Sequence, residues 1–243
     1  LKILVIIPAY NEEANIGQLL KDLEDCHVNN KKIDLLVIND CSKDRTSEIC
    51  ALNKIKVIDL PCNLGIGGAM QTGYKFAYNN NYDFAIQVDG DGQHNPSFIK
   101  DVLEPLISEA ADLVIGSRYL NKEGFQSTQL RRIGIRYFSK LIQILVNQKV
   151  TDPTSGFRAS NKKVIKLFAH KYPVDYPEPE SIVYLSRIGM RILEVPVIMK
   201  HRVGGESSIK SFGSLYYMIK VSLAIMLDIL RKPNSFVEKE VTE

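Results

Sequence analysis

Apolar positions in the first half of the chain fall in short runs, each followed by helical spacing. Residues 2–7 form such a run, ending at Pro8, and read as a buried strand. Ile16, Leu19, Leu20 and Leu23 then recur three and four apart, which predicts a helix opened by Asn11-Glu12-Glu13. Further runs at 33–38, 55–60, 84–88 and 113–116 predict four more strands. Between them, Ser42-Lys43-Asp44-Arg45-Thr46 supplies turn and cap residues for a short helix with Ile49 and Leu52. A glycine-rich turn at 63–68 precedes a helix through Met70, Tyr74 and Ala77, and 98–107 is helical. This alternation predicts an α/β fold, with a mostly parallel sheet flanked by helices on both faces. Ligands of such sheets bind beyond the carboxyl ends of the strands. Tyr10, Asn11, Glu12, Asp40, Asn63, Asp89, Asp91 and Arg118 all follow strands and are expected to line one crevice.

The second half is less regular. Residues 130–146 read as an amphipathic helix with Arg131, Arg132, Arg136 and Lys140 on polar faces. A loop at 152–158 and a helix at 162–168 follow. Three prolines make 172–179 an extended segment, with a helix at 180–188. Residues 192–200 are strand-like, 201–208 form a polar, glycine-containing loop, and 211–230 form a long apolar helix before a charged tail. At 100° per residue, Lys220, Asp228 and Arg231 share one sector of that helix. It is therefore expected to lie on an anionic membrane surface, or to pack on the core or on a partner subunit.

At 243 residues the chain has room for one large domain. Its 45% hydrophobic and 24% charged residues exclude a disordered or collagen-like chain. A net charge of +3, with basic residues scattered and no stacking motif, argues against a nucleic-acid partner. No uninterrupted apolar stretch of about 18 residues predicts a transmembrane helix, and the start is too short for a signal peptide. The four cysteines form no C-x-x-C pair and are expected to be buried, reduced thiols of a cytosolic protein.

The chemistry concentrates in Asp89-Gly90-Asp91-Gly92-Gln93-His94. Two carboxylates after a buried strand can converge on one cation, and oxygen ligands suit Mg²⁺ or Mn²⁺. Gln93 or His94 would complete the shell. The spacing is not that of an EF-hand. Asp40 is either a cap or an acceptor for a nucleobase or ribose. The glycines at 65, 67 and 68 permit close approach of a ligand to backbone, but neither G-x-G-x-x-G nor a P-loop is present.

Together these segments resemble the family 2 glycosyltransferases of GT-A fold. The likeness is carried by Ile7-Pro8-Ala9-Tyr10-Asn11-Glu12-Glu13, Asn39-Asp40-Cys41-Ser42-Lys43-Asp44-Arg45-Thr46 and Asn63-Leu64-Gly65. It continues in the Asp89–Asp91 turn through Asn95-Pro96, in Gly116-Ser117-Arg118 and in Asp152-Pro153-Thr154-Ser155-Gly156-Phe157-Arg158. Within the family the chain is most similar to the branch of dolichol-phosphate mannosyltransferase and the polyprenyl-phosphate sugar transferases.

The resemblance implies a catalytic domain over 1–210; the residues after it read as an amphipathic helix over 211–232 and a mobile tail over 233–243. Pro8, Tyr10 and Glu12 would border the nucleoside, Asp40 would hold the base, and Asn63 and Gly65 would line the donor. Asp89, Asp91 and Gln93 would hold the donor's diphosphate through Mg²⁺ or Mn²⁺. Arg118, Arg131 and Arg202 are the implied phosphate contacts, with Ser207 in the same loop as Arg202. Asp152, Glu178 and Glu180 are the candidate bases, and Asp91 and Arg131 belong with them in the catalytic set.

The expected reaction is inverting transfer from a nucleotide sugar, UDP-linked rather than GDP-linked, to a polyprenyl phosphate or lipid-linked glycan of the cell envelope. The alternatives are a saccharide hydroxyl of a growing surface polysaccharide as acceptor, or nucleotide binding without transfer. Such an enzyme would sit in the cytoplasm at the inner face of the membrane, with an anchoring partner or as a homo-oligomer. Cys41 stands where the family commonly has Asp or Gly, and a chain without Trp lacks the Q-x-x-R-W signature of processive synthases.

Overall fold

The computed structural model describes residues 1–24, 26–28, 31–126, 128–174, 176–200 and 213–230. In chain order the first elements are β1 (Ile3–Ala9), α1 (Ile16–Glu24), β2 (His27–Val28), β3 (Lys31–Lys32), β4 (Asp34–Asn39), α2 (Thr46–Leu52) and β5 (Lys56–Asp59). Next come α3 (Gly65–Asn79), β6 (Phe84–Gln87), a 3-10 turn at Pro96–Phe98, α4 (Ile99–Ile107) and β7 (Leu113–Ser117). The chain continues with α5 (Gln129–Val146), β8 (Arg158–Asn161), α6 (Lys162–His170), α7 (Pro177–Arg187), β9 (Ile192–Pro196) and α8 (Gly213–Leu230).

Strand β1 is buried at all seven positions, as a central parallel strand covered on both faces must be. It pairs in parallel with β4 on one side and β6 on the other, in a seven-stranded sheet of order β5-β4-β1-β6-β8-β7-β9. Alternate residues of β1 face opposite cores. Leu4 and Ile6 pack with Met70, Tyr74, Phe138, Phe168 and Ile182 of the helices on one side. Ile3, Val5 and Ile7 pack with Ile16, Leu20, Val102 and Leu103 on the other.

Three expectations are corrected. Residues 158–161 are a strand, antiparallel to both β6 and β7, where the chain was expected to be leaving a loop. The polar sequence Arg-Ala-Ser-Asn hides it, because its pairing with two flanking strands rather than its apolarity makes it a strand. Pro177, expected in an extended segment, opens α7, because proline at the first helical position lacks only an N–H that has no intrahelical partner anyway. The strand expected through residue 200 ends at Pro196, with a lone bridge from Met199 to His94. The ribbon of β2 and β3 was also not anticipated.

All four cysteines are free thiols, but of these only Cys50 is buried, and Cys62 is exposed. Among the described residues no helix is long and apolar enough to cross a membrane.

Candidate active site

The carboxyl ends of β1, β4, β6 and β7 share one edge of the sheet, and the loops leaving them are tied to one another. After β1 and β4 the backbone turns through left-handed residues, Asn11 (φ 54°) and Cys41 (φ 59°). The Asn11 N–H donates to Ser42 Oγ at 2.9 Å, and the Lys43 N–H donates to Asn11 Oδ1 at 2.8 Å. The Glu12 N–H donates to Thr46 Oγ1 at 2.9 Å, while its own carboxylate accepts from Asn15 Nδ2 at 2.8 Å. Glu12 is thus a buried brace between loops, Pro8 lies inside the sheet, and Tyr10 is 46% exposed at the crevice rim.

Asp40, 4% exposed, accepts from the backbone N–H groups of Leu64 (2.7 Å) and Gly65 (2.9 Å). It caps α3 from another loop, which is the cap reading of that residue. Each carboxylate oxygen accepts two bonds, so this leaves Asp40 acceptor capacity for a ligand. Asn63 braces the same turn, donating from Nδ2 to the Asp40 carbonyl at 3.3 Å, and Gly65 takes the φ of +74° that the turn requires.

The Asp89–Asp91 turn folds back on β1 and β8. The Gly90 N–H donates to the Pro8 carbonyl at 3.1 Å, where a side chain at 90 would crowd the backbone. Gln87 Nε2 donates to Asp89 Oδ1 at 2.9 Å. The Asp89 carboxylate lies against Gly156, where a Cβ would sit 2.7 Å from Oδ2. Asp91 Oδ1 accepts from the Gln93 N–H at 3.0 Å. His94 is buried beside the Asp89 carboxylate, its Nε2 3.6 Å from Oδ2. Its Nδ1 accepts from the Asp89 N–H at 3.0 Å, its ring stacks on Phe157 at 5.1 Å, and it is 4% exposed. Through both ring nitrogens it orients Asp89.

Two carboxylates and an amide oxygen in one turn suit a hard divalent cation. Among the described residues no three His, Cys, Asp or Glu side chains gather into a complete metal site. The donor set therefore fits a cation that takes its remaining ligands from substrate phosphates and water, as Mg²⁺ commonly does.

Arg118 and Asp152 form a buried fork. Nε and Nη2 of Arg118 donate to the two oxygens of Asp152 at 2.6 and 2.7 Å, and Asp152 is fully buried. Glu194 holds the same loop by accepting from the Thr151 and Asp152 N–H groups at 2.7 and 2.8 Å. A buried carboxylate engaged by a guanidinium does not fit the expected role of base; Asp152 positions Arg118.

Glu178 lies in the first turn of α7, half-buried, and loss of hydration pushes its carboxyl up to about 7. Arg158 opposes that rise, Asp89 adds to it, and Arg131, in the first turn of α5, opposes it. Asp89, Arg131 and Arg158 thus each lie within electrostatic reach of Glu178. Glu180 is half-buried two residues further along α7, in the same first turn.

Arg158 itself was legible only as the last residue of a loop. It is 2% exposed, and donates to the carbonyls of Ser155 (2.6 Å), Pro153 (2.9 Å) and Glu178 (2.9 Å) and to Ser181 Oγ (2.8 Å). It ties the 153–155 loop to the start of α7. Arg202 and Ser207 lie outside the described residues.

Residues 4–168 match the family described as Glycosyl transferase family 2. The chain is 32% identical to a UDP-N-acetylglucosamine–dolichyl-phosphate N-acetylglucosaminyltransferase of Methanococcus voltae, over 80% of this chain and 84% of that protein. It is 29% identical to an undecaprenyl-phosphate mannosyltransferase of Micrococcus luteus, over 85% and 87%. Its fold is that of glucosyl-3-phosphoglycerate synthase from Mycobacterium tuberculosis, solved with Mn²⁺, UDP and phosphoglyceric acid, at a TM-score of 0.72 and 20% identity over 96% of this chain and 80% of that one. These findings set aside nucleotide binding without transfer. The fold is GT-A-like, and the chain belongs to glycosyltransferase family 2.

Proposed function

We propose that this glycosyltransferase moves a sugar from a UDP-sugar to a polyprenyl phosphate, with inversion at the anomeric carbon. The observation that carries the reading is the charge layout around Asp89. A two-carboxylate turn suited to a cation sits within electrostatic reach of Arg118 and of Glu178, and Glu178 is itself within reach of Arg131. That is a site for two phosphate-bearing molecules. The names of the dolichyl- and undecaprenyl-phosphate relatives support the acceptor, and the UDP-bound structural neighbour supports the donor.

Asp89, Asp91 and Gln93 would hold Mg²⁺ or Mn²⁺, which supplies charge neutralisation on the departing diphosphate. Asp40 and the 63–65 turn hold the nucleoside end, with Tyr10 on its rim. Arg118, fixed by Asp152, and Arg131 hold phosphate oxygens. An acceptor phosphate oxygen forms the new bond to the anomeric carbon as the bond to the nucleoside diphosphate breaks on the opposite face. A phosphate is already anionic near neutral pH and needs no base, which agrees with the engagement of Asp152 by Arg118.

A second reading has one observation in its favour. A Glu178 carboxyl at about 7 is matched to general-base work on a saccharide hydroxyl.

The test is transfer of labelled sugar from UDP-glucose, UDP-N-acetylglucosamine and GDP-mannose, with Mn²⁺, to undecaprenyl phosphate and to soluble saccharides. Transfer from a UDP-sugar to undecaprenyl phosphate is expected. Asp91→Ala should lower it by about a hundred-fold or more, as loss of a charge-stabilising group does. Full activity of Asp91→Ala overturns the metal assignment, and transfer only to saccharides, lost in Glu178→Gln, selects the second reading.

A further inference from the structure

Gln87 is a buried amide in a place that favours an apolar side chain. It ends β6, an interior strand whose other residues are Phe84, Ala85 and Ile86, and it is 1% exposed. A buried amide destabilises a fold unless both of its ends are bonded. Gln87 meets that condition at one end. Its Nε2 donates to Asp89 Oδ1 at 2.9 Å, while its Oε1 is buried and has no hydrogen-bond partner among the described residues.

The neighbours explain why that oxygen stays unbonded. Across the ladder Gln87 is paired with Arg158, a residue rich in donors. The Arg158 guanidinium gives its bonds to the carbonyls of Ser155, Pro153 and Glu178 and to Ser181 Oγ, and none of these reaches Gln87. Turning the amide end for end brings no relief, because it would set Oε1 against Asp89 Oδ1, oxygen on oxygen. The Asp89 carboxylate therefore dictates how Gln87 lies. One buried acceptor is left unsatisfied so that one donor can reach Asp89.

Asp89 has no need of that donor for its own hydration. Its side chain is 34% exposed, so water reaches it. What Gln87 adds is direction. Its amide fixes Oδ1, His94 accepts from the Asp89 N–H at Nδ1 and stands 3.6 Å from Oδ2, and Gly156 closes a third side. A Cβ at 156 would sit 2.7 Å from Oδ2, 3.1 Å from Oδ1 and 2.9 Å from Gln87 Nε2, so the glycine is moulded to the pair rather than to Asp89 alone. A carboxylate held in this way presents its remaining lone pairs in one direction. Partners that orient a metal-ligating side chain are typically worth about ten- to a hundred-fold in metal affinity.

We propose that Gln87 is a positioning residue of the cation site, setting the Asp89 carboxylate for a divalent cation through an amide whose unsatisfied oxygen lowers the stability of the fold. The inference rests on the reading that Asp89 and Asp91 hold Mg²⁺ or Mn²⁺, and adds to it a buried side chain that touches neither the cation nor the donor. It carries a sign that a purely structural role does not. A glutamine kept for the fold would lower stability when replaced. A glutamine kept for Asp89 lowers cation affinity when replaced and leaves stability unchanged or improved, because no buried polar group is then left unbonded.

The experiment replaces Gln87 by methionine, unbranched and of similar volume, and separately by leucine, so that a packing fault peculiar to one side chain does not decide the result. In EDTA, the melting temperatures of Gln87→Met and Gln87→Leu should equal that of the unaltered chain or exceed it by up to about 4 °C. Mn²⁺ binding, followed by water proton relaxation with and without UDP, should weaken by about ten-fold or more in both. Lower melting temperatures in both variants overturn the proposal and assign Gln87 to the fold. Unchanged Mn²⁺ affinity in both, with Asp91→Ala losing the ion, overturns the proposal alone. An unaltered chain that takes up no Mn²⁺, or an Asp91→Ala chain that takes it up equally, overturns the metal assignment and the proposal with it.

Discussion

Glu178 is an acid held where its charge is costly. Its carboxyl rises from the ordinary 4.5 to about 7, so between those values the folded chain keeps a proton that the unfolded chain has released. Its contribution to stability is therefore full below about pH 4.5 and falls as pH rises to 7, by about 3 kcal/mol in all. Carboxylates held low, such as Asp112 in its bonds to Arg191 and Asn161, run the other way, so the difference between two chains isolates the effect. In EDTA, the melting temperature of Glu178→Gln relative to the unaltered chain should climb from pH 4.5 to 7 and then level, by roughly 5–10 °C. A flat difference would show that the carboxyl is hydrated. The sequence marks Glu178 as unusual through its two flanking prolines. It does not reveal the burial, which comes from the buried Pro177 and Pro179 beside it and from Arg158 against its own carbonyl.

At the scale of elements, the strand-end loops act as a unit because their side chains cross between them. Asp40 leaves β4 but caps α3, so Asp40→Ala removes a cap as well as any ligand contact. The variant should lose about 1–2 kcal/mol without any nucleotide present, measured by denaturant unfolding. Asp40→Asn, which keeps an acceptor, should recover part of that loss. No loss in Asp40→Ala would leave nucleotide contact as the residue's whole role. The apolar runs and the polar residues behind them made β1, β4, β6 and β7 readable in the sequence, because burial on both faces leaves little choice of residue. Strand β8 was unreadable for the opposite reason: Arg158-Ala159-Ser160-Asn161 owes its place to its neighbours' backbones. The start of α7 was obscured by prolines, which a helix accommodates readily in its first turn. Arg158 could not be recognised as a buried tether because its partners are backbone carbonyls and one hydroxyl, which leave no pattern in the sequence.

For the whole molecule, the continuous apolar run of β1 and the alternation of strand with helix foretold a sheet covered on both faces, and a core lies on each. The polarity of α8 was not foretold, because a helical wheel shows which side chains share a face but not which way that face is turned. Asp228 points inward because Arg187 and Lys171 wait there, on elements more than forty residues earlier in the chain. The placement of β8 has a further consequence, for the order in which the fold can assemble. Strands β5, β4, β1 and β6 are all available once residue 87 has left the ribosome. Strand β7 follows at 113–117, yet its route into the sheet passes through β8, and Ile115 and Gln87 both await Arg158. During synthesis β6 therefore presents an open edge for about seventy further residues, and long-range pairings of this kind close slowly. Pulsed hydrogen exchange during refolding should show amides of β1 and β4 protected before those of β7 and β9, in two phases. Simultaneous protection of all four would mean that β8 is in place from the first compact state.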